Sequence, residues 1–160
     1  VTVNGTEQQI YALNEFVLEK HGSSRMIIVS AYVDDHHIAD YRADGLILTT
    51  PTGSTAYSLS CGGPIIAPSS QIFRVTPISP HALTLRPLIV PDNNEITFIL
   101  NEYSDEATLV ADGKQATVIT PGQRITIRKS EFVVKLIKRV DSTYFDLLRA
   151  KLLWSVGGIS

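Results

Sequence analysis

Between Asp44 and Pro64 the chain reads Asp-Gly-Leu-Ile-Leu-Thr-Thr-Pro-Thr-Gly-Ser-Thr-Ala-Tyr-Ser-Leu-Ser-Cys-Gly-Gly-Pro, small hydroxyl residues and glycines crowded where a backbone can come close to a ligand. Leu46, Ile47 and Leu48 form the short apolar run of a buried strand, and Pro51 with Gly53 breaks it. A helix over residues 55–60 is predicted next, with Ser54 as its N-cap and Gly62-Gly63-Pro64 as its stop. Strand, hydroxyl-rich turn and helix N-terminus together offer free N–H groups and a positive dipole end, chemistry suited to an anionic or strongly polar ligand. The same residues also suit a plain connection in which Ser and Thr only cap the helix.

Other candidate groups are scattered along the chain. Asn14-Glu15 puts an amide beside a carboxylate at a strand end: Glu can accept from two vicinal hydroxyls and Asn can face a base edge, or both can sit in an exposed turn. Asp44 precedes Gly45 at the start of the buried run, where a carboxylate has assigned partners, or it is a turn residue. Arg25 can reach a phosphate or stand as a solvated charge. Tyr57 offers a flat apolar face with a polar tip, for a ligand ring or for the core. Asp112-Gly113-Lys114 fits a tight hairpin turn. His81, in Thr76-Pro77-Ile78-Ser79-Pro80-His81, titrates in the range of a general base, but between two strands it reads as structural. His36-His37, in a hairpin turn beside Asp34-Asp35, lacks a third ligand at a recognisable spacing, so no metal site is predicted.

The elements that must position these groups are mostly strands. Residues 8–13, 25–33, 38–43, 82–90, 95–100, 107–111, 115–119, 124–128 and 132–139 are short runs rich in Ile, Val, Leu, Thr, Tyr and Phe. Turn signals separate them, among them Pro91-Asp92-Asn93-Asn94, Asp112-Gly113 and Pro121-Gly122. Many short strands at this spacing predict a mainly β, two-layer sandwich with a short helix after the hydroxyl-rich turn. From Ser142 the texture changes. Tyr144, Phe145, Leu147, Leu148, Lys151, Leu152 and Trp154 keep a helical rhythm, with Ser142 as cap and Gly157-Gly158 as stop, giving a C-terminal helix with a broad apolar face.

With 160 residues, 44% hydrophobic and 19% charged, the chain can bury one domain core. A net charge of −2 and a pI near 6.1 argue against nucleic acid or an anionic membrane as partner. No apolar run approaches the roughly 20 residues that span a bilayer. The single cysteine, Cys61, excludes an intramolecular disulfide and a Cys-pair zinc site, and fits a soluble, reducing compartment. Val1-Thr2-Val3 already reads as a strand running into the Asn4-Gly5 turn, so the chain is expected to begin inside a domain.

The string Pro51-Thr52-Gly53-Ser54-Thr55-Ala56-Tyr57-Ser58-Leu59-Ser60, with Asp44-Gly45 before it and Gly62-Gly63-Pro64 after it, resembles the signature of the NAD kinase family. The likeness extends from Asn14 to Trp154 and includes Asn14-Glu15, the Thr-Pro-x-x-Pro-His segment and Asp112-Gly113-Lys114 in the family's order. It implies the C-terminal domain of a two-domain enzyme that transfers the γ-phosphoryl of ATP, or of polyphosphate, to the adenosine-ribose 2′-hydroxyl of NAD to give NADP. Asn14 and Glu15 are then implied at the ribose and adenine, Asp44 with Arg42 on the nicotinamide side, and Arg25 at a phosphate. Thr52, Thr55, Ala56, Tyr57, Ser58 and Ser60 fall to the dinucleotide, and Ser79 to the pocket wall. Lys114 stands where many members carry Gln, placing a cation toward the diphosphate.

The family's Gly-Gly-Asp-Gly-Thr motif, whose Asp activates the 2′-hydroxyl, does not occur in this sequence. No catalytic residue is therefore expected in this chain, and the Mg²⁺ or other divalent cation that accompanies ATP is expected to be bound mainly by an N-terminal domain. Residues 1–140 would form the β-rich NAD-binding domain and residues 141–160 a helical tail packing on that N-terminal domain. The resemblance further implies a cytoplasmic homodimer or homotetramer with NAD, NADP and ATP as ligands, inactive as an isolated chain. Two alternatives stand beside it: a non-catalytic dinucleotide-binding or scaffold module, and a lipid kinase of the diacylglycerol type, whose pattern lacks the Pro-Thr-Gly-Ser-Thr-Ala-Tyr string.

Overall fold

Alternation of apolar and polar residues along extended runs gives each strand one greasy side, and two such surfaces closed face to face make the fold. The computed structural model describes residues 1–137 and 141–154. The first sheet holds β1 (Thr2–Val3), β2 (Thr6–Glu7), β4 (Ile27–Val33), β5 (His36–Ala43), β9 (Ile96–Leu100) and β12 (Arg124–Ile127), in the order β2-β1-β12-β9-β4-β5. The second holds β3 (Glu15–Lys20), β6 (Gly45–Thr49), β7 (Ile72–Ile78), β8 (Leu88–Pro91), β10 (Ala107–Ala111) and β11 (Lys114–Ile119), in the order β11-β10-β3-β6-β7-β8. Among the described residues all pairings are antiparallel, and the fold is the expected mainly β, two-layer one.

Ile27, Val29, Ile96, Phe98 and Ile125 of the first sheet meet Phe16, Leu18, Leu46, Leu48, Val75 and Leu109 of the second in one buried cluster. Each such side chain contributes roughly 1.5–3 kcal/mol by leaving water. The second sheet is covered on its other face too. There Val17, Ile47 and Ile78 form a smaller cluster with Cys61 and Val110. Every residue of β6 is buried for that reason.

Several expectations are corrected. Residues 8–13 form no strand. Asp112 captures the N–H groups of Leu13, Asn14 and Glu15, and pairing starts only at Glu15. Residues 72–78, given no strand by the sequence reading, are β7. Pro77 is accommodated because β8 pairs only with Ile72 to Val75, leaving that flank of Pro77 without a partner strand. Residues 82–90 shrink to β8, and residues 132–137 run without strand pairing; Lys138 and Arg139 lie outside the described residues. The β4–β5 turn is at Asp34-Asp35, with Asp34 at φ +50°, so His36 and His37 belong to β5 rather than to the turn.

The helix after the hydroxyl-rich turn is shorter than predicted and uncapped. A 3-10 turn at Thr52–Thr55 is followed by α1 (Tyr57–Ser60), and neither has a side-chain cap. The C-terminal helix α2 (Tyr144–Leu152) is capped by Thr143, not Ser142: Thr143 N–H donates to the Asp146 carboxylate and Asp146 N–H to the Thr143 hydroxyl. Its side chains Phe145 and Leu147 are exposed, and so is Trp154 just beyond it. Gly157-Gly158 lies outside the described residues. Among the described residues, no helix is long and apolar enough to cross a membrane.

Candidate functional site

The hydroxyl-rich turn is bound to the start of β3 by its own small residues. Thr50 N–H donates to the Asn14 carbonyl at 2.9 Å and its hydroxyl to the Leu13 carbonyl at 2.7 Å. Gly53 N–H donates to that same hydroxyl at 3.2 Å. Gly53 lies so close that a Cβ there would fall 2.2 Å from the Asn14 carbonyl oxygen. Only glycine fits.

From the opposite side the β10–β11 hairpin holds the same residues. Asp112 and Gly113 take φ values of +46° and +77°, the two positive angles of a tight primed hairpin turn. The Asp112 carboxylate accepts N–H bonds from Leu13 at 2.6 Å, Asn14 at 2.8 Å and Glu15 at 3.0 Å. Lys114, exposed, follows at the start of β11. Segments about 40 and 100 residues from Asn14 in sequence thus converge on it.

Next to this junction the outer face of the second sheet carries an open groove of about 480 Å³. Glu15, Val17 and Glu19 of β3 and Thr108 and Val110 of β10 form its floor, the Tyr57 ring stands on one side, and Gly113 and Gln115 of the hairpin close the other. Glu15 is buried and its carboxyl is pushed above the ordinary range by that burial, with the neighbouring Asp112 charge adding and Arg74 opposing. Tyr57 is 42% exposed, and its phenol is pushed upward by burial and then by Cys61, Glu19 and Asp44. A flat ring over a floor that combines apolar and acceptor groups suits a ligand that is part aromatic and part polyhydroxyl.

The remaining predicted residues divide into three groups. Asp44 and Ser79 sit side by side, since Gly45 and Ile78 are paired across β6 and β7 and Asp44 N–H donates to the Ile78 carbonyl at 2.9 Å. The Asp44 carboxylate accepts from Lys20 Nζ at 2.7 Å, and Ser79, at φ +46°, is exposed. Thr52, Thr55 and Ala56 are half-buried in the turn and Ser60 is exposed at the end of α1. Arg42 and Arg25 do not line the groove. Arg42 lies exposed on β5 with its carbonyl accepting from His81 N–H, and Arg25 is an exposed side chain whose Nε is 3.7 Å from Asp105.

Two hydroxyls of the signature point inward. Ser54, expected as a helix cap, is fully buried: its hydroxyl accepts Ile66 N–H at 3.0 Å and donates to the Ile66 carbonyl at 3.3 Å. Ser58, expected at the dinucleotide, is fully buried between Thr76 and the Arg74 guanidinium. With α1 one turn long, the predicted dipole contribution is correspondingly small.

Sequence reasoning passed over Arg74, which is fully buried, and over the groove residues Val17, Glu19, Thr108, Val110 and Gln115. Period-two alternation on β3 and β10 carried that signal, because the residues opposite Phe16, Leu18 and Leu109 must face the other side.

The chain is thus a two-layer β domain with a hydroxyl-rich turn beside a mixed groove on its outer face. Residues 13–139 match the family model described as the ATP-NAD kinase C-terminal domain. The chain belongs to the NAD kinase family. It is 44% identical over 154 residues to the NAD kinase of Prosthecochloris aestuarii, covering 96% of this chain and 54% of that protein. With the NAD kinase of Bacteroides fragilis it shares 44% identity over 144 residues, 90% of this chain and 49% of the other. The chain thus spans about half the length of these curated relatives. Among solved structures, an NAD kinase from Archaeoglobus fulgidus in complex with ATP superposes at a TM-score of 0.68 with 36% identity, covering 76% of this chain and 46% of that one. Yeast NADH kinase complexed with NADH gives 0.68 and 35%, over 72% of this chain and 33% of that one.

Proposed function

We propose that this chain is the dinucleotide-holding half of an NAD kinase. The observation that carries the reading is that Glu15, Tyr57 and Gly113 line one groove of the outer sheet face, beside the junction where the Gly53 turn and the Asp112 carboxylate meet Asn14. In this reading Glu15 and Asn14 face ribose hydroxyls and the adenine edge, the Tyr57 ring covers a base, and Lys114 reaches toward the diphosphate. Asp44, Ser79 and Arg42 belong to the nicotinamide end, with Thr52, Thr55, Ala56 and Ser60 along the turn. Ser58 acts from behind it, and Arg25 meets a phosphate only if the ligand extends past the groove.

The parent reaction forms a bond between the ribose 2′-oxygen and the γ-phosphorus of ATP, breaks the bond from that phosphorus to the bridging oxygen, and releases the 2′-hydroxyl proton to a base. Such transfer depends mainly on positioning and charge stabilisation. This chain supplies positioning, while the proton acceptor and the cation that accompanies ATP come from outside it. Among the described residues no group of three or more His, Cys, Asp or Glu side chains could hold a metal ion, so no step is assigned to one here. Assembly as a cytoplasmic homodimer or homotetramer completes the proposal.

Calorimetric titration of the chain with NAD, with NADP and with diacylglycerol vesicles tests it. Dinucleotide binding supports the NAD kinase reading. Binding of lipid alone would point to a lipid kinase, and binding of neither to a scaffold.

A further inference from the structure

Three buried polar side chains stand in one row across the outer face of the second sheet. Glu15 of β3 pairs with Thr49 of β6, and Thr49 pairs with Arg74 of β7. Glu15 is 7% exposed and the other two are 0% exposed. Each has one atom without a hydrogen-bond partner among the described residues: Glu15 Oε2, Thr49 Oγ1 and Arg74 Nε. A buried guanidinium stays charged, and leaving it without an anion in the same dry layer is costly. Arg74 also grips the segment that follows the signature turn. One of its nitrogens donates to the Ser58 hydroxyl and another to the Pro64 carbonyl. Gly63 packs on the guanidinium so closely that a Cβ there would lie 2.6 Å from Arg74 Cζ.

We propose that Arg74 is a positioning residue: it fixes the Tyr57-bearing segment through Ser58 and Pro64 and, as the buried cation in the row of Glu15, supplies the positive charge that acts on the Glu15 carboxyl at the groove floor. The role rests on the proposed dinucleotide site but is separable from it, because the charge of Glu15 can be read without any ligand. Burial raises the Glu15 carboxyl most, the like charge of Asp112 on the hairpin adds to it, and Arg74 from β7 acts in the opposite direction. Glu19 on its own strand and Tyr57 of α1 share the groove. Cys61, beside α1, is a thiol raised by burial with Arg74 acting in the opposite direction.

The test follows the Glu15 side-chain carboxyl carbon by NMR between about pH 4 and pH 9 in wild type, Arg74→Met and Arg74→Lys, with Glu15→Gln to assign the signal. Arg74→Met is expected to raise the Glu15 midpoint by about one pH unit or more, the effect of losing a nearby opposite charge. Arg74→Lys is expected to leave the midpoint near wild type yet weaken NAD binding about tenfold, because an ammonium cannot hold Ser58 and Pro64 with a planar fork. An unchanged midpoint in folded Arg74→Met overturns the proposal. So does Arg74→Lys with both midpoint and NAD affinity unchanged, which decides the matter should the Met variant not fold. Failure of wild type to bind NAD would instead overturn the dinucleotide reading, leaving the charge measurement on Glu15 intact.

Discussion

Gly53 and Asn14 touch through their backbones: a Cβ on Gly53 would lie 2.2 Å from the Asn14 carbonyl oxygen and 2.8 Å from its Cα. Both neighbours are backbone atoms and cannot swing aside. Gly53→Ala is therefore expected to separate the turn from the start of β3 and to cost about 1–3 kcal/mol. A lowered denaturant midpoint with an unchanged slope is the expected outcome. A variant as stable as wild type would show that the turn and β3 are not locked together.

Asp112 holds the other side of the same junction with one carboxylate accepting from Leu13, Asn14 and Glu15. Asp112→Ala leaves those three N–H groups to solvent and is expected to cost about 1–3 kcal/mol. Amide hydrogen exchange at residues 13–15 should accelerate more than exchange in β9, which lies in the other sheet.

Burial, and then the Asp112 charge, raise the Glu15 carboxyl above its ordinary value near 4.5. A group raised in the folded state favours folding most while protonated. Its contribution is present below the ordinary value and is lost as pH rises through the raised one. Wild type is expected to lose stability relative to Glu15→Gln as pH increases from about 4.5 toward neutrality, measured by denaturant midpoints at each pH. A difference that grows in the opposite direction would contradict the assignment of burial as the dominant cause.

On the proposed reading the chain by itself is expected to form no NADP from NAD and ATP, because the Gly-Gly-Asp-Gly-Thr string to which the family resemblance assigns the proton acceptor does not occur in it. A coupled assay for NADP checks this. Turnover comparable with a full-length relative would place the reacting groups within these residues.

Legibility in the sequence followed burial on one face against burial on two. Strands such as β4 and β10, with Val29 and Leu109 facing the core and turn residues at their ends, were readable from alternation and punctuation. β3 was displaced because residues 8–13 carry as many strand-forming types, and only the long-range grip of Asp112 decides where pairing starts. β7 was hidden by Arg74 and Pro77, a charge and a missing donor that count against a central strand unless one is paired below a turn and the other lies past the end of its neighbour. At the site, the signature wording located the turn. Which hydroxyls face inward was not readable, because Ser54 and Ser58 are set by tertiary partners, the Ile66 backbone and Arg74.

On the proposed reading the groove between Tyr57 and the Gly113 hairpin receives a pyridine dinucleotide. Isothermal titration of NAD into wild type, Tyr57→Ala and Asn14→Ala tests it most directly. Tyr57 is half exposed, so its truncation should spare the fold. Saturable binding by wild type that weakens about tenfold or more in each variant, with thermal stability of Tyr57→Ala near wild type, is the predicted result. Absence of NAD binding by wild type, or equal affinity in all three proteins, would contradict it.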